Sequence, residues 1–415
     1  MDLMDRGSQQ IAQANGGSSG SQFNLQKFLD NASVVGFVSL WILPMVVIAL
    51  AMMLQNNYRT MGLLGDYALF SDHWWQHEQL YRGHKGTNYL PGFAILFTPF
   101  TWMTPIFAGI AWRLLAVLGL LSALRKLIRS LGGNMSRGEF IVSMAAVPAT
   151  LGALQIGQAN IMLAMALLQA AACMLEEKRW RFAAWLVIAF LIKPLALAAL
   201  GLGLVIWPVC RGRILFATLA SLALPFFTVP FDYAGVQYAA AYLNLQDCSV
   251  LTEHRFSDFN GMLQCFNMQL PIAWANIIRV LAGLVLACAV WIAHRRLSAP
   301  SMPRWLVWAA LSTSYLMLFN PMTESNSYGI VAIPMALCGW WWIEQRQRWS
   351  GWLTLFAIFC IGAGSEIVRP WIGNEFSLYI DPFFTLLFLL RVLVQSCMQT
   401  TTLRGIEKLP EAAHA

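Results

Sequence analysis

Long apolar runs recur along almost the whole chain, and few folds can accommodate such a sequence. A helix of about 20 apolar residues matches the thickness of a bilayer's hydrocarbon core. The composition agrees, because 58% of the residues are hydrophobic and 11% are charged, whereas about a quarter of a soluble domain is charged. The sequence therefore predicts an all-α polytopic membrane protein. Its net charge of +7 is predicted to lie in cytoplasmic loops and not to bind nucleic acid.

The apolar segments predict about twelve full spans and one short element in a single domain over residues 33–398. They lie at about 33–55, 89–104, 106–124, 139–156, 159–175, 180–192, 194–210, 214–229, 271–293, 304–319, 328–343, 352–367 and 376–396. The segment 89–104 is short and carries Pro91 and Pro99. It is predicted to be re-entrant, because such backbone is tolerated where protein or a cavity surrounds it.

Basic clusters between the apolar segments set the predicted orientation. They lie at 125–130, 176–181, 211–213, 294–296 and 346–348, and lysine and arginine concentrate in cytoplasmic loops. The outer face would then carry the loops at about 56–88, 230–270, 320–327 and 368–375. Both tails are predicted to be cytoplasmic. The tail 1–32 is rich in Gly, Ser, Gln and Asn and is predicted to be disordered, and 399–415 forms the other tail.

The first outer loop concentrates polar residues in "GDYALFSDHWWQHEQLYRGHKGTNYLPG", residues 65–92. His73 and His77 stand four residues apart, which puts them on one face if the segment is helical. Two histidines without a third ligand are weak evidence for a metal. The simpler interpretation is an amphipathic helix at the membrane surface, with Trp74 and Trp75 among the headgroups. Asp66 precedes this predicted helix as an N-cap, a solvated carboxylate or a functional group.

Four more polar clusters interrupt or end apolar runs, where an unpaired polar side chain is costly. Their polar residues are Gln155, Gln158 and Asn160; Lys193; Asn320, Thr323, Glu324, Asn326 and Tyr328; and Glu366 and Arg369. A lone lysine in such a place is usually a snorkelling anchor. The predicted topology puts all four clusters on the outer face, together with the first outer loop, which favours one shared cavity.

Cys248 and Cys265 both lie in the predicted outer loop 230–270, while the other six cysteines lie in or beside apolar segments. In an oxidising compartment this pair is expected to form a disulfide. The chain has no CxxC and no zinc-type spacing, so the cysteines do not indicate a metal site. No cofactor is predicted, and whether His73 and His77 bind a metal is left open.

An ordered set of motifs resembles glycosyltransferase family 87. The motifs are "GDYALF", "QLYRG", "NYLPGFAILFTPF", "GQANIMLAMALL", "KPLALAAL" and "NPMTESNSYGIVAIPMA", spread over about residues 60–345. The resemblance implies a GT-C-like membrane enzyme, similar to polyprenyl-phosphate-mannose mannosyltransferases. Such an enzyme moves a hexose or pentose, with inversion, from a polyprenyl-phosphate donor to a glycolipid or glycan acceptor. The resemblance also implies a site on the outer face of the bacterial inner membrane and no dedicated metal.

The resemblance and the chemistry of this transfer suggest roles for the polar residues. An acidic residue of the first outer loop serves as base in the family; Asp66 occupies that position, and Asp72 is the alternative. The candidates for the donor phosphate are Lys193, Arg369, His73, His77, His84 and Arg255. The candidates for sugar or acceptor hydroxyls are Gln158, Asn160, Glu324, Asn326 and Tyr89. Many members carry Trp or His soon after the late proline, where this chain has "MTESN", so its choice of sugar or acceptor is expected to differ.

Two other classes of protein fit an apolar chain with a polar outer cavity. A transporter or flippase usually has two similar halves, but "GDYALF" has no counterpart in the second half. A polymerase of lipid-linked oligosaccharides would share the outer site but release a diphosphate. The sequence leaves the sugar, the acceptor and the oligomeric state open.

Overall fold

The computed structural model describes residues 19–55, 62–81, 88–248, 256–268, 270–296, 302–373 and 375–397. Within these ranges the chain forms seventeen α-helices and no strand. The helices are α1 (Ser19–Gln55), α2 (Leu64–Trp75), α3 (Pro91–Thr101), α4 (Pro105–Leu131), α5 (Met135–Gln155), α6 (Ala159–Leu175), α7 (Arg179–Ile192), α8 (Leu197–Ile206), α9 (Arg211–Ala223), α10 (Phe231–Cys248), α11 (Phe259–Gln264), α12 (Ile272–Arg296), α13 (Arg304–Phe319), α14 (Gly329–Glu344), α15 (Arg348–Phe359), α16 (Ser365–Ile372) and α17 (Glu375–Cys397). Two of the short 3₁₀ turns, Pro194–Ala196 and Ser325–Tyr328, lie at the candidate site.

Within the described ranges, five helical stretches are long and apolar enough to cross a membrane. They are Val35–Leu54, Pro105–Leu131, Pro208–Phe227, Ile272–Ala293 and Leu378–Cys397. Shorter apolar helices are Pro91–Thr101, Ala159–Leu175 and Pro194–Ile206. The protein is therefore an all-α membrane protein, as the sequence predicts, and the number of about twelve spans stays a prediction.

Helices α6 and α14 occupy the centre of the bundle. α14 is buried from Gly329 to Ile343, and α6 is buried along nearly all of its length. Both mix alanine and other small residues with larger apolar ones, which lets neighbouring helices approach closely. Helices α9 and α12 instead expose large apolar side chains such as Phe216 and Leu284, as helices that face lipid do.

Arg113 lies buried inside the apolar helix α4. Its Nε donates to the Leu154 carbonyl at 2.6 Å and its Nη2 donates to the Gln155 carbonyl at 2.9 Å. Its Nη1 donates to the Gly109 carbonyl at 2.9 Å. The first two carbonyls belong to the last turn of α5, where a helix leaves carbonyls without partners and its dipole favours a cation. Arg113 thus holds the end of α5 against α4.

The other ends of these helices carry ion pairs. Lys126 and Lys178 each place Nζ 2.7 Å from a carboxylate oxygen of Glu176. Arg125 Nε lies 2.9 Å from Oε1 of Glu139. Basic residues thus gather at the end of the bundle opposite the one that Arg113 holds. The orientation in which this basic end faces the cytoplasm stays a prediction.

The predicted disorder of the first tail is wrong for part of it. α1 begins at Ser19, well inside the segment 1–32, and residues 1–18 lie outside the described ranges. The physical reason is that extending an existing helix costs far less than starting one. The polar residues before the first apolar run therefore continue the helix of that run.

The helix of the first outer loop also differs from its prediction. Asp66 lies in the first turn of α2 instead of preceding the helix. α2 ends at Trp75, and His77 follows with a φ of 58° in the left-handed region. His73 and His77 therefore do not share a helical face, and the basis for a two-histidine metal site is lost.

The two tryptophans of α2 have different surroundings. Trp75 is 45% exposed, whereas Trp74 is fully buried. Trp74 packs against Tyr233 of α10, with their ring centres 5.3 Å apart. The prediction that Trp74 lies among the headgroups is therefore wrong, because α10 covers this face of the helix.

The short element 89–104 contains a helix, α3, of eleven residues. At 1.5 Å per residue it reaches about 16 Å, roughly half of the hydrocarbon core. The helix is too short to span a bilayer. Its re-entrant placement in the membrane remains a prediction.

The disulfide between Cys248 and Cys265 also remains a prediction, because the Cys248 side chain lies outside the described residues. We expect it to stabilise the protein by about 3 kcal/mol, since it closes a loop of roughly this length. Alkylation of denatured protein purified without reductant should leave both thiols unlabelled until reduction, as intact mass will show. In the Cys248→Ser control, Cys265 should become reactive at once. Two labelled thiols in the unreduced parent chain would contradict the disulfide.

Candidate active site

Five separate segments meet at the end of the bundle that Arg113 holds. They are the first turn of α2, the residues before α3, the α5–α6 loop, the break between α7 and α8, and the turn before α14. The Leu63 N–H donates to the Ile156 carbonyl at 3.1 Å and joins the first segment to the third. Helix termini and short loops thus present the polar side chains, and rigid helices position them.

A chain of side-chain hydrogen bonds links the α5–α6 loop to the turn before α14. Asn160 Nδ2 donates to Ser327 Oγ at 2.8 Å and to Gln158 Oε1 at 2.5 Å. Gln158 Nε2 donates in turn to Glu324 Oε2 at 3.1 Å. The two amides are buried, whereas Glu324 is exposed at this end of the bundle. They fix one carboxylate oxygen of Glu324 and leave the other available to a ligand.

Asn326 and Met322 bring two further segments into the same turn. The Asn326 side chain packs so closely on Gly152 that a Cβ at Gly152 would stand 2.5 Å from Asn326 Oδ1. Asn88 Nδ2 donates to Met322 Sδ at 2.9 Å. The end of α5 and the segment before α3 therefore both contact the turn that carries Glu324.

Tyr67 and Tyr89 place their hydroxyl oxygens 2.9 Å apart. The backbone N–H of Ala159, the first residue of α6, donates to the Tyr67 hydroxyl at 3.0 Å. The Tyr67 ring is buried and packs edge-on against Phe93 and Phe97. Because Tyr67 follows Asp66 directly, these contacts fix the first turn of α2.

Asp66 and Glu324 both act on this hydroxyl pair. Burial is the main reason that the pKa of Tyr67 rises to about 12, and both carboxylates raise this pKa as well. Burial and the same carboxylates also raise the pKa of Tyr89 well above its usual value. Both hydroxyls therefore stay protonated at neutral pH. Asp66 directly precedes Tyr67 in the first turn of α2, and Glu324 is hydrogen-bonded to Gln158, which precedes Ala159, the residue that donates to Tyr67.

Asp66 and Asp72 face different directions from α2. Six residues along a helix separate them by about 9 Å along the axis and about 120° around it. Asp66 directly precedes Tyr67 in the first turn, at the positive end of the helix dipole, whereas Asp72 lies near the other end of the helix. This geometry favours Asp66 over Asp72 as the reactive group.

Lys193 lies between the end of α7 and the turn Pro194–Ala196, outside the five candidate spans. The proline cannot donate a backbone hydrogen bond and breaks the apolar helix here. Burial lowers the pKa of Lys193 to about 8, and the Glu324 carboxylate opposes this shift. Leu191, two residues earlier, packs closely on Gly92 at the start of α3, so the Lys193 amine lies at the same end of the bundle as that segment. It makes no hydrogen bond or ion pair with any residue that the structure describes.

Residues just before α11 pack against the turn before α14, which carries Glu324. The Ser257 N–H donates to the Thr323 carbonyl at 2.7 Å, and the Tyr328 hydroxyl donates to the Ser257 carbonyl at 2.5 Å. Asp258 caps α11 and lies 3.4 Å from Arg279 Nη2. Burial raises the pKa of Asp258 to about 6 although Arg279 opposes it. The Glu324 turn is thus packed on both sides.

Some predicted phosphate ligands are held by neighbours. His73 Nε2 lies 3.3 Å from Glu78 Oε2, and the His77 ring centre lies 5.2 Å from that of Tyr233. Among the described residues, no group of three or more His, Cys, Asp or Glu is placed to hold a metal. Three further predicted ligands lie outside the described residues or have side chains outside them: His84, Arg255 and Arg369.

The sequence reasoning missed three residues that shape the site, namely Arg113, Tyr67 and Ser327. Arg113 carries a visible signal, because a single charge inside an apolar run demands a partner. Tyr67 and Ser327 carry no such signal, because the partners of their hydroxyls lie in segments far away in the sequence.

These observations define a class, an all-α membrane protein with two carboxylates and a lysine gathered at one end of its helices. The sequence model of glycosyltransferase family 87 matches residues 87–321, more than half of the chain. The chain belongs to glycosyltransferase family 87 and is a glycosyltransferase. A comparison with curated proteins finds no match.

The matched range covers only part of the site. Gln158, Asn160 and Lys193 lie inside it, whereas Asp66 precedes it and Glu324 follows it. The contacts between segments, and not the family match, therefore place the two carboxylates at this site.

Proposed function

We propose that the protein transfers a hexose or pentose from a polyprenyl-phosphate donor to a glycolipid or glycan acceptor, with inversion, at the outer face of a bacterial inner membrane. The family supports a glycosyltransferase. The observation that supports the finer proposal is a set of hydrogen bonds: Glu324 is bonded to Gln158, the next residue Ala159 is bonded to Tyr67, and Tyr67, which follows Asp66, contacts Tyr89. Lys193 is the buried amine whose pKa the Glu324 carboxylate affects. Together these groups provide acceptors for hydroxyl hydrogens and a basic group for a phosphate.

In the proposed reaction the acceptor oxygen attacks the anomeric carbon of the donor sugar. The new C–O bond forms as the bond from that carbon to the phosphate oxygen breaks, which inverts the configuration. Asp66 takes the proton of the acceptor hydroxyl, and polyprenyl phosphate leaves with the bonding pair. Lys193 binds the departing phosphate, where negative charge develops.

The remaining polar residues are proposed to bind hydroxyls of the sugar or acceptor. Gln158 and Asn160 are buried, so they act mainly by orienting Glu324. Asn326 and Tyr89 lie beside it. Arg369, Arg255 and His84 remain candidates for the phosphate, while His73 and His77 are weaker ones because of their contacts with Glu78 and Tyr233.

The proposal can be tested with purified protein in nanodiscs and a panel of undecaprenyl-phosphate hexoses and pentoses. Release of undecaprenyl phosphate that depends on a glycolipid acceptor supports the transferase. Release of a diphosphate from lipid-linked oligosaccharides would indicate the polymerase instead. Movement of intact donor across the bilayer without product would indicate a flippase.

Lys193→Met is expected to weaken binding of the donor by about 10- to 150-fold, because a charge-assisted hydrogen bond is worth about 1.5–3 kcal/mol. Titration of undecaprenyl phosphate against protein in nanodiscs measures this loss. In the parent chain the affinity should fall as the pH rises through about 8, where Lys193 loses its charge.

The matched control is Lys193→Arg, which keeps its charge over this pH range. It should retain most of the affinity and lose the pH dependence near 8. Equal affinities for the parent chain and Lys193→Met would make Lys193 an interfacial anchor.

A further inference from the structure

Within this proposed function, the hydroxyls of Tyr67 and Tyr89 have a direction that follows from their partners. The Ala159 N–H can only donate, so the Tyr67 oxygen accepts from it at 3.0 Å. A tyrosine hydroxyl carries one hydrogen. Tyr67 is 2% exposed, and the Tyr89 hydroxyl, 2.9 Å away, is the hydrogen-bond partner available to that hydrogen among the described residues.

The opposite direction is less favourable. If Tyr89 donated to Tyr67, the Tyr67 oxygen would accept two hydrogen bonds and its own hydrogen would be buried without an acceptor. A buried donor without a partner is costly. The order Ala159 N–H to Tyr67 to Tyr89 satisfies every group and leaves the hydrogen of Tyr89 for another acceptor.

The position of Tyr89 indicates what that acceptor is. Tyr89 is only partly buried. Its hydroxyl contacts Tyr67, the residue after Asp66, and its neighbour Asn88 contacts Met322 in the turn that carries Glu324. A carboxylate can only accept, whereas a sugar hydroxyl both donates and accepts. A carboxylate can therefore accept the hydrogen of a sugar hydroxyl, and Tyr89 can donate to the oxygen of the same hydroxyl.

We propose that Ala159, Tyr67 and Tyr89 form a hydrogen-bond relay, through which Tyr89 donates to a sugar hydroxyl that itself donates to Glu324. Tyr67 is then a positioning residue that acts through Tyr89. Each hydrogen bond polarises the next, so the relay is cooperative. It begins at the N-terminus of α6, where backbone N–H groups have no partner within the helix and the helix dipole is positive.

A double-mutant cycle tests the relay on the donor that the parent chain turns over fastest in the panel above. Tyr89→Phe and Tyr67→Phe should each lower turnover by about tenfold, in line with the loss of one or two neutral hydrogen bonds. In the Tyr89→Phe background, Tyr67→Phe should lower turnover by less than about twofold further. It should still lower thermal stability in that background, because the Ala159 N–H loses its partner there as well.

The matched control is Tyr315→Phe, whose hydroxyl donates to the Arg279 carbonyl at 2.8 Å. It should leave turnover unchanged. Losses at Tyr67 and Tyr89 that multiply in the double variant would overturn the relay and make Tyr67 a packing residue only.

A second measurement needs no turnover and so separates failure of the relay from failure of the proposed function. In protein labelled at the tyrosine ζ carbon, the Tyr89 signal can be assigned by its disappearance in Tyr89→Phe. It should shift in Tyr67→Phe and stay in place in Tyr315→Phe. An unmoved Tyr89 signal in Tyr67→Phe would overturn the relay even if no sugar is transferred.

Discussion

Asp66→Asn is expected to lower sugar transfer by at least about 10²-fold, the usual contribution of a general base. The change keeps the size of the side chain and removes its ability to take a proton. Donor binding should barely change, because the proposed phosphate ligand is Lys193. Single-turnover transfer and donor titration, measured on the same nanodisc samples, check both parts.

Asp72→Asn is the matched control, since it makes the same change on the same helix. Asp72 is exposed at the other end of α2, so this variant should keep most of its activity. If Asp72→Asn lost sugar transfer and Asp66→Asn kept it, Asp72 would be the general base. Full activity in both would contradict the transferase proposal itself.

Arg113→Met is expected to lower the free energy of unfolding by about 1.5–3 kcal/mol, the range for the loss of a hydrogen bond to a charged group. The variant leaves the carbonyls of Leu154 and Gln155 without their donor. Sugar transfer should fall as well, because the loop after α5 carries Gln158. Chemical denaturation in detergent and the transfer assay measure the two effects.

Arg129→Met is the control for this prediction. Arg129 lies in the last turn of the same helix and is exposed, so its replacement should change stability by less than about 1 kcal/mol. Equal stabilities of the two variants would mean that water or lipid replaces the guanidinium without cost.

Hydropathy could predict the helices but not all of their ends. The apolar runs, the short element at 89–104 and the break at Pro194 are visible because they depend on local composition and on proline. The start of α1 at Ser19 is not, because polar residues extend a helix that begins elsewhere. The end of α2 at Trp75 is set by its packing under α10.

Some residues of the site could also be predicted from the sequence, whereas their contacts could not. Gln158, Asn160 and Glu324 stand out in the sequence as polar residues beside apolar runs, and the structure joins them by hydrogen bonds. Which of these side chains is bonded to which could not be predicted, because it depends on which loops meet in the fold. Nor could the pairing of Tyr67 with Tyr89, because hydroxyl contacts between segments leave no periodic trace in a sequence.

The site is assembled from segments that are synthesised far apart in time. Asp66 leaves the ribosome near the beginning, and Glu324 follows only after α13 has been made. Until that turn arrives, Gln158 lacks the carboxylate that it orients. A chain that is still being synthesised, or that is truncated before Glu324, therefore holds only part of the proposed site, and under the proposed function sugar transfer begins only after that last turn has been made.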